Sequence, residues 1–179
     1  MRKIIPLLFA VALIFTCSNA FSQHVMKAMD GTTKLNGGST VAGHTDEIDL
    51  LSNSLGEDRC ATCSTSNVSD YNIMIQLSAA TISFKKLLLN GKKLTSVRVT
   101  YIKPGTTPFT YYRIQMENVT VESVQESGSS PEAPIFSVSL HPDRIAWQQI
   151  KQNPDGSVGT KTTYGWDVVN NVVWTYVFL

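Results

Sequence analysis

Hydrophobic and polar residues alternate along most of the chain with a period of two, and that alternation predicts a succession of β-strands. A short strand fits His24 to Met29. "DEIDLLSNSLG" reads as another, with Ile48, Leu50 and Ser52 on one face. Polar residues from Glu57 to Ser69 then predict a loop. "DYNIMIQL" resumes the pattern, placing Tyr71, Ile73, Ile75 and Leu77 on a common side. Further on, "LTSVRVTYI" alternates Val97, Val99 and Tyr101, and "KPGTTP" turns the chain into "FTYYRIQMENVTVESV". "IFSVSLHPDRIAWQQI" follows and carries a Trp147 that the pattern assigns to the interior. "NPDGS" turns the chain again into "GTKTTYGWDVVNNVVWTYVFL".

One segment breaks the period. In "SAATISFKKLLLNGKK" the apolar residues Ala80, Phe84, Leu87 and Leu88 recur at helical spacing. Ser78 or Thr81 is placed to cap the start, and Asn90-Gly91 supplies a left-handed stop. The prediction is a helix of about three turns near Thr81 to Asn90, burying one stripe against a sheet. Six or more strands around one helix define a mainly β protein, either a sandwich or a closed barrel.

The first 22 residues have a different character. "MRKIIPLLFAVALIFTCSNAFSQ" joins a basic start to an apolar run from Ile4 to Phe15 and ends in small residues. This is the layout of a signal peptide, too short for a membrane span, with cleavage after Ser22 or after Ala20. Cys17 offers lipidation as the alternative to plain export; either route places the protein in the periplasm or outside the cell. The expected organisation is a leader over 1–22 and a single domain over 23–179, a length that supports one core.

The chain holds 15 Lys and Arg against 14 Asp and Glu. Removing Arg2 and Lys3 with the leader leaves the balance one charge on the acidic side. Such a surface has neither the basic footprint of a nucleic-acid binder nor a polybasic membrane anchor.

Outside the leader the only cysteines are Cys60 and Cys63, spaced C-x-x-C in "GEDRCATCSTSN". Zinc would need a second ligand pair, and a redox motif would need a helix after a strand. In an exported chain the expectation is a disulfide across a short polar loop. "HTDEID" gathers His44, Asp46, Glu47 and Asp49, but Asp46 and Glu47 point to opposite faces of an extended chain, so a solvated loop is expected there. His24, His44 and His141 are scattered, and no serine sits in a G-x-S-x-G frame. Gly128 lies in no phosphate loop, since no lysine and helix follow it. The sequons at Asn67 and Asn118 carry no weight. The expectation is a protein without catalytic residues, cofactor or metal. Trp147, Trp166 and Trp174 are assigned to the core or to a subunit contact, with a sugar-stacking platform as the alternative.

Three segments carry a family resemblance. They are "GHTDEIDLLSNSLG", "VESVQESGSSPEAPIFSVSLHPDRIAW" and "YGWDVVNN", in that order around one helix. Together, from about Gly31 to Asn171, they resemble the Hcp family, the tube-forming proteins of bacterial type VI secretion. The matching positions are Glu47, Ile48, Asp49, Leu50 and Ser52 in the first segment. In the second they are Ser127, Gly128, Ser129, Ser130, Ser137, Ser139, Leu140 and Trp147. Gly165, Trp166 and Asp167 complete the set. The resemblance implies an antiparallel β-barrel with one flanking helix, assembled as a hexameric ring. It further implies that rings stack into a tube propelled by sheath and spike proteins, with small effectors in the lumen and no catalytic centre. By sequence order, Glu57, Asp58 and Arg59 begin the loop that helps rings of the family stack. The leader and the C-x-x-C stand outside the family pattern. A solitary exported barrel that binds a carbohydrate or protein ligand is the alternative function.

Overall fold

The fold is described from a computed structural model over residues 23–62, 65–105, 107–128 and 131–179. The leader, with Cys17, and Cys63, Ser129 and Ser130 lie outside the described residues. In chain order the elements are β1 (Gln23–Asp30), β2 (Thr33–Lys34), β3 (Ile48–Asp49), β4 (Ser52–Ser54), β5 (Glu57–Arg59), β6 (Ser66–Val68) and β7 (Tyr71–Gln76). The helix α1 (Ala79–Asn90) precedes β8 (Leu94–Lys103), β9 (Phe109–Ser127), β10 (Ile135–Gln152), β11 (Val158–Asp167) and β12 (Val172–Val173). All strand pairs are antiparallel, in agreement with the expected fold class.

The long strand β10 organises the sheet. It pairs with β9 from Ile135↔Ser127 to Gln149↔Tyr112. Its other edge is shared: Ile135 to Leu140 pair with β7, and Arg144 to Gln152 pair with β11. Pro142 stands between these two partners, so the N–H it lacks interrupts neither ladder. Inward-facing residues change parity at the same level, from Val138 and Leu140 to Ile145. Across from this point Asn118 adopts a positive φ of 51°. β10 thus exchanges β7 for β11 there while its ladder with β9 continues.

Residues 48–54 close the barrel. Ile48 and Asp49 pair with Met26 and Val25 on β1, whereas Ser52, Asn53 and Ser54 pair with Met74, Ile73 and Asn72 on β7. The handover falls between two adjacent leucines: Leu50 N donates to His24 O at 2.9 Å and Leu51 N to Met74 O at 2.8 Å. One segment therefore covers both open edges of the sheet β1-β8-β9-β10-β7, which removes them as pairing sites for other chains. The single continuous strand expected over this run is instead two short ones, the first paired with β1 and the second with β7. Leu50 is buried, on the face shared with Ile48, and Leu51 is exposed.

The interior is filled by Met26, Ile48, Tyr71, Ile73, Ile75, Phe136, Val138, Leu140 and the inward residues of β8 and β9. Leu77, expected on the same face as Ile75, is 53% exposed because β7 ends at Gln76. Helix α1 buries Ala80, Thr81, Phe84 and Leu87, with Leu88 half-buried. Ser78 is the N-cap residue, yet its hydroxyl makes no capping bond; Thr81 lies inside the first turn and donates to Ser78 O at 2.7 Å. At the other end Gly91, at φ 61°, donates to Leu88 O while Lys92 N reaches Leu87 O. This paired closure needs a left-handed residue, which glycine supplies without a Cβ penalty. Among the described residues no helix is long and apolar enough to cross a membrane.

Candidate functional site

The segment predicted as a polar loop is a hairpin. Glu57 pairs with Val68, Asp58 with Asn67 and Arg59 with Ser66, and Cys60 N donates to Thr65 O at 3.2 Å. Polar three-residue strands carry no alternation, which hid them from the sequence. Cys60 is disulfide-bonded, and its partner lies outside the described residues. The hairpin is tied back to the protein by Ser66 N, which donates to Asn171 Oδ1 at 3.1 Å.

Asn171 belongs to the turn that follows Gly165, Trp166 and Asp167, and each of these three has a distinct task. A Cβ on Gly165 would lie 2.3 Å from Trp174 O, so only glycine lets the last segment cross here. Trp174 N in turn donates to Gly165 O at 2.9 Å. Asp167 accepts Asn170 N at 2.8 Å, Asn170 Nδ2 at 3.1 Å and Arg144 Nε at 3.0 Å. These bonds, the Asn170 backbone N–H first, hold its carboxyl below the usual range. Trp166 lies on the opposite face of β11 from its two neighbours.

On that face, where β10 and β11 run past the barrel mouth, three aromatic rings lie together. Trp147 and Tyr164 are direct cross-strand partners, with ring centroids 6.2 Å apart and planes within 16°. Trp166 is two residues beyond Tyr164. The hairpin forms one wall over them, and the enclosed groove measures about 320 Å³. Trp147 and Trp166 pack against the core from outside and are half-buried, so the expected burial of Trp147 is only partial. Trp174 lies on the other side of the sheet, in an extended segment with Tyr176 and Phe178; Arg98 Nη2 donates to Tyr176 OH at 3.0 Å.

A second polar cluster holds the closure seam. Tyr101 OH donates to Asn53 Oδ1 at 2.6 Å, which leaves Asn53 Nδ2 to donate to His24 Nδ1 at 3.2 Å. Tyr71 OH sits 3.3 Å from Tyr101 OH. Burial raises the Tyr71 and Tyr101 phenols above their ordinary range and pushes Tyr112 up to about 12. Burial also lowers His24, consistent with a neutral ring whose Nδ1 accepts. The four groups come from β1, β4, β7 and β8, and sequence spacing gave no signal that they would meet.

The remaining predicted positions are structural. His44 Nδ1 pairs with Glu47 Oε2 at 2.8 Å, and Glu47 is buried rather than solvated because it starts the closing segment. No group of three or more His, Cys, Asp or Glu converges among the described residues. Ser139 Oγ donates to Asn72 Oδ1, joining β10 to β7, and Ser137 occupies the same ladder. Ser127 ends β9, with Gly128 just beyond it.

The architecture is a closed antiparallel barrel with one flanking helix and a sheet that extends beyond its mouth. A sequence profile for the family described as "Type VI secretion system effector, Hcp" matches residues 26–149. The chain belongs to the Hcp family. Among solved structures, one of a type six secretion system protein has a TM-score of 0.76 at 17% identity, covering 85% of this chain and 99% of that one. Hcp1 from Salmonella typhimurium has a TM-score of 0.73 at 21% identity, with 86% and 99% covered. A type VI secretion system effector from Yersinia pestis has a TM-score of 0.67 at 19% identity, with 81% and 99% covered. At these identities the structures show a shared fold. No curated protein sequence matches the chain.

Proposed function

We propose that the protein is a structural subunit that closes into rings of about six copies and stacks them into a hollow tube of the type VI secretion kind. Family membership supports this reading, and one structural observation carries it. Exposed valines gather along the chain around β12, from the turn before it to the segment after it. Val169, Val172, Val173 and Val177 are each more than half exposed. Exposed apolar residues gathered around one strand of a folded β protein are fit for a subunit contact. Head-to-tail contacts between identical wedges close when their rotation divides a circle.

The leader supports export, with the mature chain beginning near Gln23 or at a lipidated Cys17. Small effectors in the lumen and sheath or spike proteins are the partners this reading calls for. Sedimentation velocity of the mature protein across a hundredfold concentration range tests it. A species near six times the monomer mass is expected. A monomer throughout would discard the tube and favour the solitary binding barrel.

A further inference from the structure

We propose that the groove between the β5–β6 hairpin and the aromatic end of β10–β11 is a binding site for a neutral saccharide. This goes beyond the assembly reading and does not depend on it.

The floor is aromatic. Trp147 and Tyr164 are stacked cross-strand partners with ring centroids 6.2 Å apart and planes 16° apart, and Trp166 lies on the same face of β11 as Tyr164. A sugar ring offers a flat patch of C–H groups that suits such a surface, whereas an organic cation is best held by rings that surround it. Tyr164 is 53% exposed on a strand whose polar neighbours would serve equally well if only folding mattered. The volume, about 320 Å³, falls at the small end of the range for ligand sites and suits one or two sugar rings.

The rim is polar and unspent. Glu57, Asp58 and Arg59 are all exposed. Among the described residues no side-chain hydrogen bond or ion pair engages them, and all three line the groove. Two carboxylates and one guanidinium provide both acceptors and donors for hydroxyl groups. Their net negative charge disfavours a phosphate or uronate, while the guanidinium disfavours a simple cation. A neutral polyhydroxylated ligand uses both kinds of group. Beneath the rim, Trp166 Nε1 is buried without an acceptor. A groove that existed only to seat the hairpin would be expected to close with apolar side chains.

The test uses the full mature chain with neutral β-1,4-linked glucose and N-acetylglucosamine tetrasaccharides, read by tryptophan fluorescence and calorimetry. Saturable binding of at least one is expected, with dissociation constants in the range of about 0.1–1 mM. Tyr164→Ala should weaken it at least tenfold, and Asp58→Asn should weaken it severalfold. Both exposed substitutions should leave the thermal transition in place, which separates lost binding from lost folding. Trp174→Phe, across the sheet, should leave the affinity unchanged. Absence of a saturable signal with both sugars at about 10 mM would overturn the proposal. So would binding that survives Tyr164→Ala, or tighter binding of choline or a polyuronate than of either neutral sugar.

Discussion

Gly37→Ala is the sharpest probe of barrel closure. The extended stretch around Gly37 crosses directly over the closing segment, with Gly37 N donating to Asp46 O at 3.1 Å and Ser39 N to Glu47 O at 2.9 Å. A Cβ at this position would lie 2.4 Å from Ile48 Cα and 2.5 Å from Glu47 O. Both neighbours are backbone, so no side-chain rotation relieves the clash and the crossing strand must lift. Overpacking of this sort costs about 1–3 kcal/mol, and the rigid neighbours place the expected loss at the upper end. For a chain of this size about 2–4 °C of melting temperature is lost per kcal/mol, giving a fall of roughly 5–10 °C. Gly38→Ala is the internal control: its φ is 79° but a Cβ there meets nothing within 4 Å. It should cost only the left-handed strain of about 1–2 kcal/mol. Thermal and urea unfolding at one fixed protein concentration, since assembly makes stability concentration-dependent, gives both values. A Gly37→Ala change of less than about 0.5 kcal/mol, within the range of ordinary surface substitutions, would refute the packed closure.

Other expectations follow from the same contacts. Because burial lowers His24 below its ordinary value of 6.5, the unfolded chain takes up this proton first. Its contribution is complete above pH 6.5 and declines as pH falls from there toward the folded value. His24→Gln should flatten that part of a melting-versus-pH curve, and an unchanged slope would count against the seam. Asp167 acts in the opposite range: its lowered pKa gives stability above the ordinary carboxylate value that is lost only in stronger acid. Phe84→Ala, at a fully buried helix position, should cost about 3–5 kcal/mol in urea unfolding. Replacing Cys60 and Cys63 together by serine should leave the global transition within a few degrees of wild type, since a disulfide between them would close only a short loop. Mass spectrometry of the exported protein should find no free thiol at either position.

Much of the fold was legible because alternation survives where a strand has one wet face. Tyr71, Ile73 and Ile75 are buried as the pattern requires, and Asn90-Gly91 ends the helix where expected. Legibility failed where a strand changes partner. The alternation set Leu50 apart from Leu51, but that their amides serve different partners, β1 and β7, follows only from the tertiary pairing. Trp147 reads as interior because it shares the core-facing side of β10, but there it also lines the groove under the hairpin and stays half-buried. The hairpin walls of the groove had no signal beyond their polarity. The seam cluster joins positions as distant as His24 and Tyr101, which no local pattern relates.

Ring assembly of this barrel is open to direct observation. Negative-stain electron microscopy of the mature protein, with class averages computed without imposed symmetry, tests it most directly. Rings with a central opening and sixfold rotation, some of them stacked end to end, are expected. Fields of separate barrel-sized particles at every concentration, from a sample whose melting transition is intact, would contradict it.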